Sequence, residues 1–292
     1  MYVVAGVSGQ TGLVVAETLL AAGKAVRVLV RSEDKGRAFK ARGAEVAVAS
    51  LEDSDALAAA LRGAQGAYLL IPPPGPEVKG VVARGRRIID SIAAALGKSP
   101  VPHVVVLSSI GAQHPDGTGP IVTVNYAERV LSKLSGIRFT FVRAAYFMEN
   151  LGGLLGAVQH AGVLPSLTNP TTAFPMIATR DIGEVAAQAL QSPPAETQII
   201  ELAGPQDYSF TDAAAAFAQA LGKPVSAVPV PPAGIVPALT QAGVGEEMAG
   251  LMREMAVGMD AGRVAFAGGA VRAVRGKVPL AAVVGQLLGQ KA

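Results

Sequence analysis

Val3-Val4-Ala5-Gly6-Val7-Ser8-Gly9-Gln10-Thr11-Gly12 runs from an apolar strand into a glycine turn, and the turn into a helix. The three glycines stand at G-x-x-G-x-x-G spacing, and each has a physical task if a dinucleotide binds here. Gly6 permits a tight turn off the strand, Gly9 lets backbone approach a pyrophosphate, and Gly12 lets the following helix pack close to the sheet. The N–H groups at the start of that helix then face the anion. A glycine triplet alone is weak evidence. Its context here is the required one, with an apolar run before it and an amphipathic helix, Leu13 to Ala22 closed by Gly23, after it.

The next strand candidate, Val26-Arg27-Val28-Leu29-Val30, ends in Arg31, 19 residues beyond Gly12. An NAD site in this architecture usually carries Asp or Glu near that place, accepting from the ribose 2′-hydroxyl. A guanidinium suits a 2′-phosphate, which it can bind bidentately, and a carboxylate would repel it. Arg31, with Lys35 and Arg37 just beyond, therefore predicts NADPH as the preferred cofactor. The alternative for the three cations is a solvated basic loop, since Glu33 and Asp34 lie among them.

Apolar runs alternate with helical patterns outward from this motif. Strands are expected at Tyr2–Ala5, Ala25–Val30, Glu45–Ala49, Ala67–Ile71, His103–Leu107 and Arg138–Val142. Helices are expected near 13–22, 35–41, 54–61, 78–96 and 122–134, with Asp53 as an N-cap. Strands without polar alternation, each followed by a helix, predict a doubly wound Rossmann-type α/β fold with a parallel sheet in the order 3-2-1-4-5-6. From about Gly152 the texture changes to short elements rich in Pro and Gly. Residues 1–151 are expected to form the dinucleotide-binding core. Residues 152–292 are expected to complete the sheet and add a small mixed α/β lobe, the second wall of a substrate cleft. Further helices are expected from Thr179 to Leu190, from Thr211 to Leu221 and at 245–255 and 280–288, with strands at 198–202 and 225–230.

Composition bounds the remaining classes. Half of the 292 residues are apolar, 16% are charged, and the net charge is +3, too small to argue for nucleic acid. No cysteine is present, which excludes disulfides, a thiol nucleophile and Cys-ligated metal. His103, His114 and His160 lack metal-ligand spacing and read as incidental. A core strand begins at Tyr2, so no signal peptide is expected, and no apolar stretch of ~18 residues suggests a membrane span. The expectation is a cytoplasmic protein. Met248, Met252, Met255 and Met259 recur on one helix face. Such a stripe suits a core, a homodimer contact, or a soft pocket for a flat apolar substrate.

Taken together, Gly6-Val7-Ser8-Gly9-Gln10-Thr11-Gly12, Val28-Leu29-Val30-Arg31, Leu70-Ile71-Pro72-Pro73, Val105-Val106-Leu107-Ser108-Ser109, Phe141-Val142-Arg143-Ala144-Ala145-Tyr146-Phe147-Met148-Glu149-Asn150 and Arg180-Asp181-Ile182-Gly183 make a pattern that resembles the NmrA-like family of atypical short-chain dehydrogenase/reductases. The segment Arg143 to Asn150 is its most specific piece. The resemblance implies an NADP-binding Rossmann fold with a small C-terminal lobe. It covers NADPH-dependent quinone reductases, isoflavone-reductase-like enzymes, and non-catalytic redox sensors that act through a protein partner. It implies that Gly6, Ser8, Gly9, Gln10, Thr11 and Gly12 wrap the pyrophosphate, that Arg31 holds the 2′-phosphate, and that Ile71, Pro72 and Pro73 lie along the adenosine half. Ser108 and Ser109 would sit near the nicotinamide ribose, and Ala144, Ala145 and Tyr146 beside the nicotinamide. Tyr146 and Asn150 are the substrate-contact candidates, and Arg143 and Asp181 an expected ion pair under the site.

Short-chain dehydrogenases usually pair a Ser with a Tyr that is followed four residues later by Lys, whose charge lowers the phenol pKa. Tyr126 is the catalytic candidate here, with Ser108 or Ser109 as partner, but the lysine position is Val130. Isoflavone-reductase-like members carry Lys four residues before a helix Glu; if that is Glu128, the position holds Val124. The other reading of Tyr126 is a helix tyrosine packed against Val130. A quinone acceptor tolerates the missing lysine better than a carbonyl acceptor, because solvent can protonate its product and the protein need only position the reactants. The sequence therefore favours an NADPH-dependent quinone reductase, with a redox sensor as the alternative.

Overall fold

The computed structural model describes residues 1–269 and 271–290. The first half alternates strand and helix: β1 (Tyr2–Ala5), α1 (Gln10–Ala21), β2 (Val26–Val30), α2 (Glu33–Lys40), β3 (Glu45–Val48), α3 (Ser54–Leu61), β4 (Gly66–Leu69), α4 (Val81–Lys98), β5 (His103–Ser109), α5 (Val122–Leu131) and β6 (Arg138–Ala144). The second half follows with β7 (Tyr146–Phe147), α6 (Leu155–Ala161), β8 (Val163–Ser166), β9 (Phe174–Ile177), α7 (Thr179–Gln191), β10 (Gln198–Ala203), β11 (Asp207–Tyr208), α8 (Phe210–Leu221), β12 (Ser226–Pro229), α9 (Pro232–Gln241), α10 (Glu246–Asp260), β13 (Arg272–Arg275) and α11 (Leu280–Leu287).

Eight strands form one parallel sheet in the order β3-β2-β1-β4-β5-β6-β10-β13. The expected six-strand order is found and is extended at the β6 edge by two strands from the second half. The strands read as unbroken apolar runs because both faces are covered. Successive residues point to opposite faces. Val4, Val28 and Val142 thus enter a cluster with Val15 and Leu19 of α1 and Ile182 and Ala186 of α7. Val3, Ala5 and Phe139 enter a second cluster with Leu57 of α3, Ile88 and Ile92 of α4 and Leu131 of α5. The α1–α7 approach is close, since a β-carbon at Gly183 would stand 2.5 Å from the Val14 β-carbon.

A third cluster forms the small lobe from Met148, Leu151, Met176, Phe210, Phe217, Leu280 and Val284. The sheets β11-β9-β7 and β12-β8 belong to this portion. The strand expected at 225–230 exists as β12 and pairs with β8 outside the main sheet. One expectation needs correction. The helix expected from Val78 begins at Val81, because Gly80 adopts a φ of 66° and breaks the helical path. β13 was not expected at all. It is an edge strand with Arg at both ends, so its apolar signal is two residues long.

Candidate dinucleotide site

The ends of β1, β2, β4, β5 and β6 meet at one edge of the sheet, where an open α/β fold takes its ligand. Gly6 leaves β1 at a φ of 70°, and the Gly9 N–H donates to the Gly6 carbonyl at 2.9 Å, which closes the turn. A β-carbon at Gly12 would stand 2.4 Å from the Ala5 carbonyl oxygen, so only glycine allows α1 to start there. Gly9 is different. It is exposed, its φ of −105° suits any residue, and a β-carbon would meet only the Gly6 carbonyl oxygen at 3.4 Å. What a side chain at Gly9 would fill is the space in front of the helix. No side chain caps α1, and no acid stands in its first turn. Its leading N–H groups are therefore presented to that space, as an anion requires.

Ser8 and Gln10 are exposed beside the turn, whereas Thr11 is buried. The Thr11 hydroxyl oxygen accepts a 2.9 Å hydrogen bond from the Tyr68 phenol on β4. Its side chain is thus turned inward, and only its backbone can face a pyrophosphate. Arg31, immediately past β2, is exposed, and among the described residues it forms no ion pair. The neighbouring acids are engaged elsewhere: Asp34 pairs with Arg37, and Glu33 lies 3.7 Å from Lys40. The cation at the strand end is available, as is exposed Lys35, while Arg37 is shared with Asp34. Ile71 and Pro72 are half-buried and Pro73 is exposed just after β4, on the path from the turn toward β5.

At the end of β5 the two serines have their hydroxyl hydrogens committed. Buried Ser108 donates to Glu128 of α5 at 2.6 Å, and Ser109 to the Ile110 carbonyl at 3.1 Å. Glu128 in turn accepts two bonds from Arg143 of β6, at 3.0 and 2.6 Å. Arg143 also lies 3.8 Å from Glu201 of β10, whose carboxylate accepts the N–H groups of Ala267 and Gly268 at 2.8 and 3.2 Å. The expected Arg143–Asp181 pair is not made. Asp181 instead accepts from the Lys277 and Val278 N–H groups, both at 3.0 Å, which anchors the segment after β13 on α7. Glu201 was overlooked, although an acid inside the apolar run Ile199 to Ala203 is its sequence signal. Two cavities of about 360 and 400 Å³ flank α5 and share Glu128 and Ser132. Neither is lined by the glycine turn.

Tyr126 does not meet either serine. Its phenol donates to Asp90 of α4 at 2.8 Å, with the Arg86 guanidinium 5.3 Å from the ring centre. Two residues on a helix differ by roughly 200° in direction, so with Glu128 facing Ser108, Tyr126 faces away. The bond to Asp90 raises the phenol pKa, the opposite of what a base there needs. Ala144 and Ala145 are buried where β6 ends. Tyr146 packs edge-on to Phe174, with ring centres 5.6 Å apart, and anchors the lobe. Burial pushes its phenol up to about 12, against a hydrogen bond with exposed Asn150. Glu149 caps α7, accepting the Thr179 N–H at 2.8 Å and its hydroxyl at 2.7 Å.

A model of the NmrA-like family matches residues 2–262. The chain belongs to the NmrA-like family. This NmrA-like chain is 31% identical over 257 residues to an NAD(P)H azoreductase of Xenophilus azovorans, covering 87% of this chain and 86% of that one. It is 28% identical over 269 residues to quinone oxidoreductase 2 of Escherichia coli K12, covering 90% and 89%. The fold is that of the solved NADPH complex of the Escherichia coli quinone oxidoreductase QOR2, with a TM-score of 0.77 at 24% identity over 99% of this chain and 95% of the other.

Proposed function

We propose that this protein is an NADPH-dependent oxidoreductase that reduces a quinone or a similar small carbonyl compound. The observation that carries the reading is the glycine turn with Arg31, exposed and in no ion pair among the described residues, at the end of the neighbouring strand. One feature presents N–H groups to a pyrophosphate, and the other offers a guanidinium to a 2′-phosphate. The relatives named an NAD(P)H azoreductase and a quinone oxidoreductase support it. Bound NADPH would supply a hydride.

The chain's own residues bind and orient. Gly6, Gly9 and Gly12 shape the turn, with Ser8, Gln10 and the Thr11 backbone beside the pyrophosphate. Arg31 and Lys35 take the phosphate on the ribose. Ile71, Pro72 and Pro73 flank the adenosine half, and Ser108, Ser109, Ala144 and Tyr146 border the nicotinamide end, with Tyr146 and Asn150 toward the substrate. Because Ser108 donates to Glu128, its oxygen is left to accept a hydrogen bond, for instance from a ribose hydroxyl. No side chain is placed here as a proton donor. Tyr126 is read as structural, and a reduced quinone takes its proton from water. The same reading expects a cytoplasmic location and a homodimer, which fractionation and light scattering check.

The test is NADPH oxidation with benzoquinones and naphthoquinones, beside an NADPH titration of the same sample. Quinone-dependent oxidation supports the reductase. The committed hydroxyl hydrogens of Ser108 and Ser109 favour one other reading, an NADP(H)-binding redox sensor without turnover. Tight binding with no acceptor reduced across the panel would put that reading first.

A further inference from the structure

The sheet face under α3, α4 and α5 continues past its last helix. The buried cluster on that face takes its helix residues from α3, α4 and α5, while β10 and β13 extend the sheet beyond β6. Two rows cross from β6 to β10 on this face, Phe141 beside Ile199 and Arg143 beside Glu201. The two cavities that flank α5 open on these rows. The one of about 360 Å³ is lined by Phe141 and Ile199, and the one of about 400 Å³ by Arg143. Both are bounded by Glu128 and by Ser132, whose hydroxyl donates to the Glu128 carbonyl at 2.5 Å. They therefore adjoin along one side of α5 and make one groove.

The inner charges of this groove cancel. Glu128 and Arg143 pair at 2.6 Å with side chains only 11% and 6% exposed, and Glu201 is held by the Ala267 and Gly268 N–H groups. The amide groups are committed as well. Gln113 donates to the Ala265 carbonyl and Asn125 to that of Ala112, both at 2.8 Å, and Gln198 donates to the Thr140 hydroxyl oxygen at 3.2 Å. What remains is one guanidinium on each cavity, Arg129 on the larger and Arg272 on the smaller. Both are exposed, and among the described residues neither forms an ion pair. The Thr197 hydroxyl accepts the Phe139 N–H at 3.1 Å and so keeps its own hydrogen to donate into the smaller cavity.

We propose that this groove binds a small dicarboxylate, with one carboxylate on Arg129 and the other on Arg272. A guanidinium recognises a carboxylate through paired N–H donors. One exposed contact of this kind is weak. Two made by the same molecule reinforce each other, because the second forms within a complex that already exists. The middle of the ligand lies over Ser132 and the mutually neutralised Glu128 and Arg143, which suits an uncharged spacer. The site uses none of the residues assigned to the dinucleotide, so it stands or falls apart from the reductase reading.

The test is calorimetric titration of the full chain at low ionic strength with succinate, glutarate and adipate, and with butyrate as the one-carboxylate control. The diacid whose length matches the span is expected to bind about tenfold tighter than butyrate, and equally well with NADPH present. Arg129→Ala and Arg272→Ala are each expected to bring that diacid down to the butyrate level. Both side chains are exposed, so the melting temperature should not move. Arg272→Lys, which keeps the charge, should retain part of the binding. Diacids that bind no tighter than butyrate, or binding that survives both alanine variants, would overturn the site. Binding that NADPH abolishes would put the anion among the cofactor's own phosphate contacts and overturn it as well.

Discussion

In the proposed reading, Arg31 is the residue on which cofactor choice turns. Replacing it with Ala should weaken NADPH binding by about 1.5–3 kcal/mol, as for a lost charged hydrogen bond, and leave NADH binding nearly unchanged. Paired titrations with the two cofactors decide it, and equal losses would remove the 2′-phosphate role. Tyr126→Phe should leave quinone reduction within a few-fold, since the phenol is bonded to Asp90. A loss of ~100-fold would restore it as an acid–base group. His103 is a separate probe. Burial, aided by Arg138, lowers its pKa to about 4, below the roughly 6.5 of an unfolded chain. The unfolded chain therefore takes up the proton first as pH falls. The stability tied to neutral His103 is intact above about pH 6.5 and is eroded between there and about 4. Thermal melts across that window should fall less steeply for His103→Gln, which can keep the contact with Thr140. The place of Arg31, exposed just past β2, was legible at this scale because it follows from the end of an apolar run. The partners of Arg143 were not: Glu128, Glu201 and Asp181 are all plausible by charge, and the choice is made by tertiary packing, which brings Glu128 in from α5, sets Glu201 of β10 beside Arg143 and turns Asp181 to the Lys277 and Val278 N–H groups.

Among the elements, the glycine turn separates fold from function within one motif. Gly12→Ala forces a methyl against the Ala5 carbonyl oxygen at 2.4 Å, and overpacking of this kind costs about 1–3 kcal/mol or more. Its melting temperature should drop. Gly9→Val should fold with little loss, because the backbone there is ordinary and open, and should fail to bind NADPH. Melting curves and cofactor titrations on both variants check the contrast. Retained binding in Gly9→Val would put the pyrophosphate elsewhere. The regular elements of the first half were readable from their apolar runs and from local devices such as Asp53, whose carboxylate accepts the Asp55 and Ala56 N–H groups at 3.0 Å. The short strands β7, β8, β9 and β11 were not, since two to four residues carry too little periodicity to register.

For the whole molecule, the order of the first six strands was legible because crossover handedness leaves few topologies. The place of the second half was legible only in outline. Its segments join two different cores, one beneath the sheet and one in the lobe, and the choice depends on contacts distant in sequence. Leu280 and Val284 of α11 complete the lobe core with Met148 and Leu151.

The two outer strands beyond β6 carry a kinetic consequence. β10 and β13 are made long after the strands they extend, and Ala267 and Gly268, the N–H donors to Glu201, are made later than Glu201 itself. A nascent chain that has finished β6 therefore holds an unpaired sheet edge and an Arg143 that still lacks Glu201 until β10 has been made. Parallel pairing across such separations is slow and exposes strand edges in the meantime. Addition of β10 and β13, rather than completion of the first half, is then the step at which this chain becomes resistant to protease. A ribosome-stalled series of lengthening chains should show that resistance arriving in one late step.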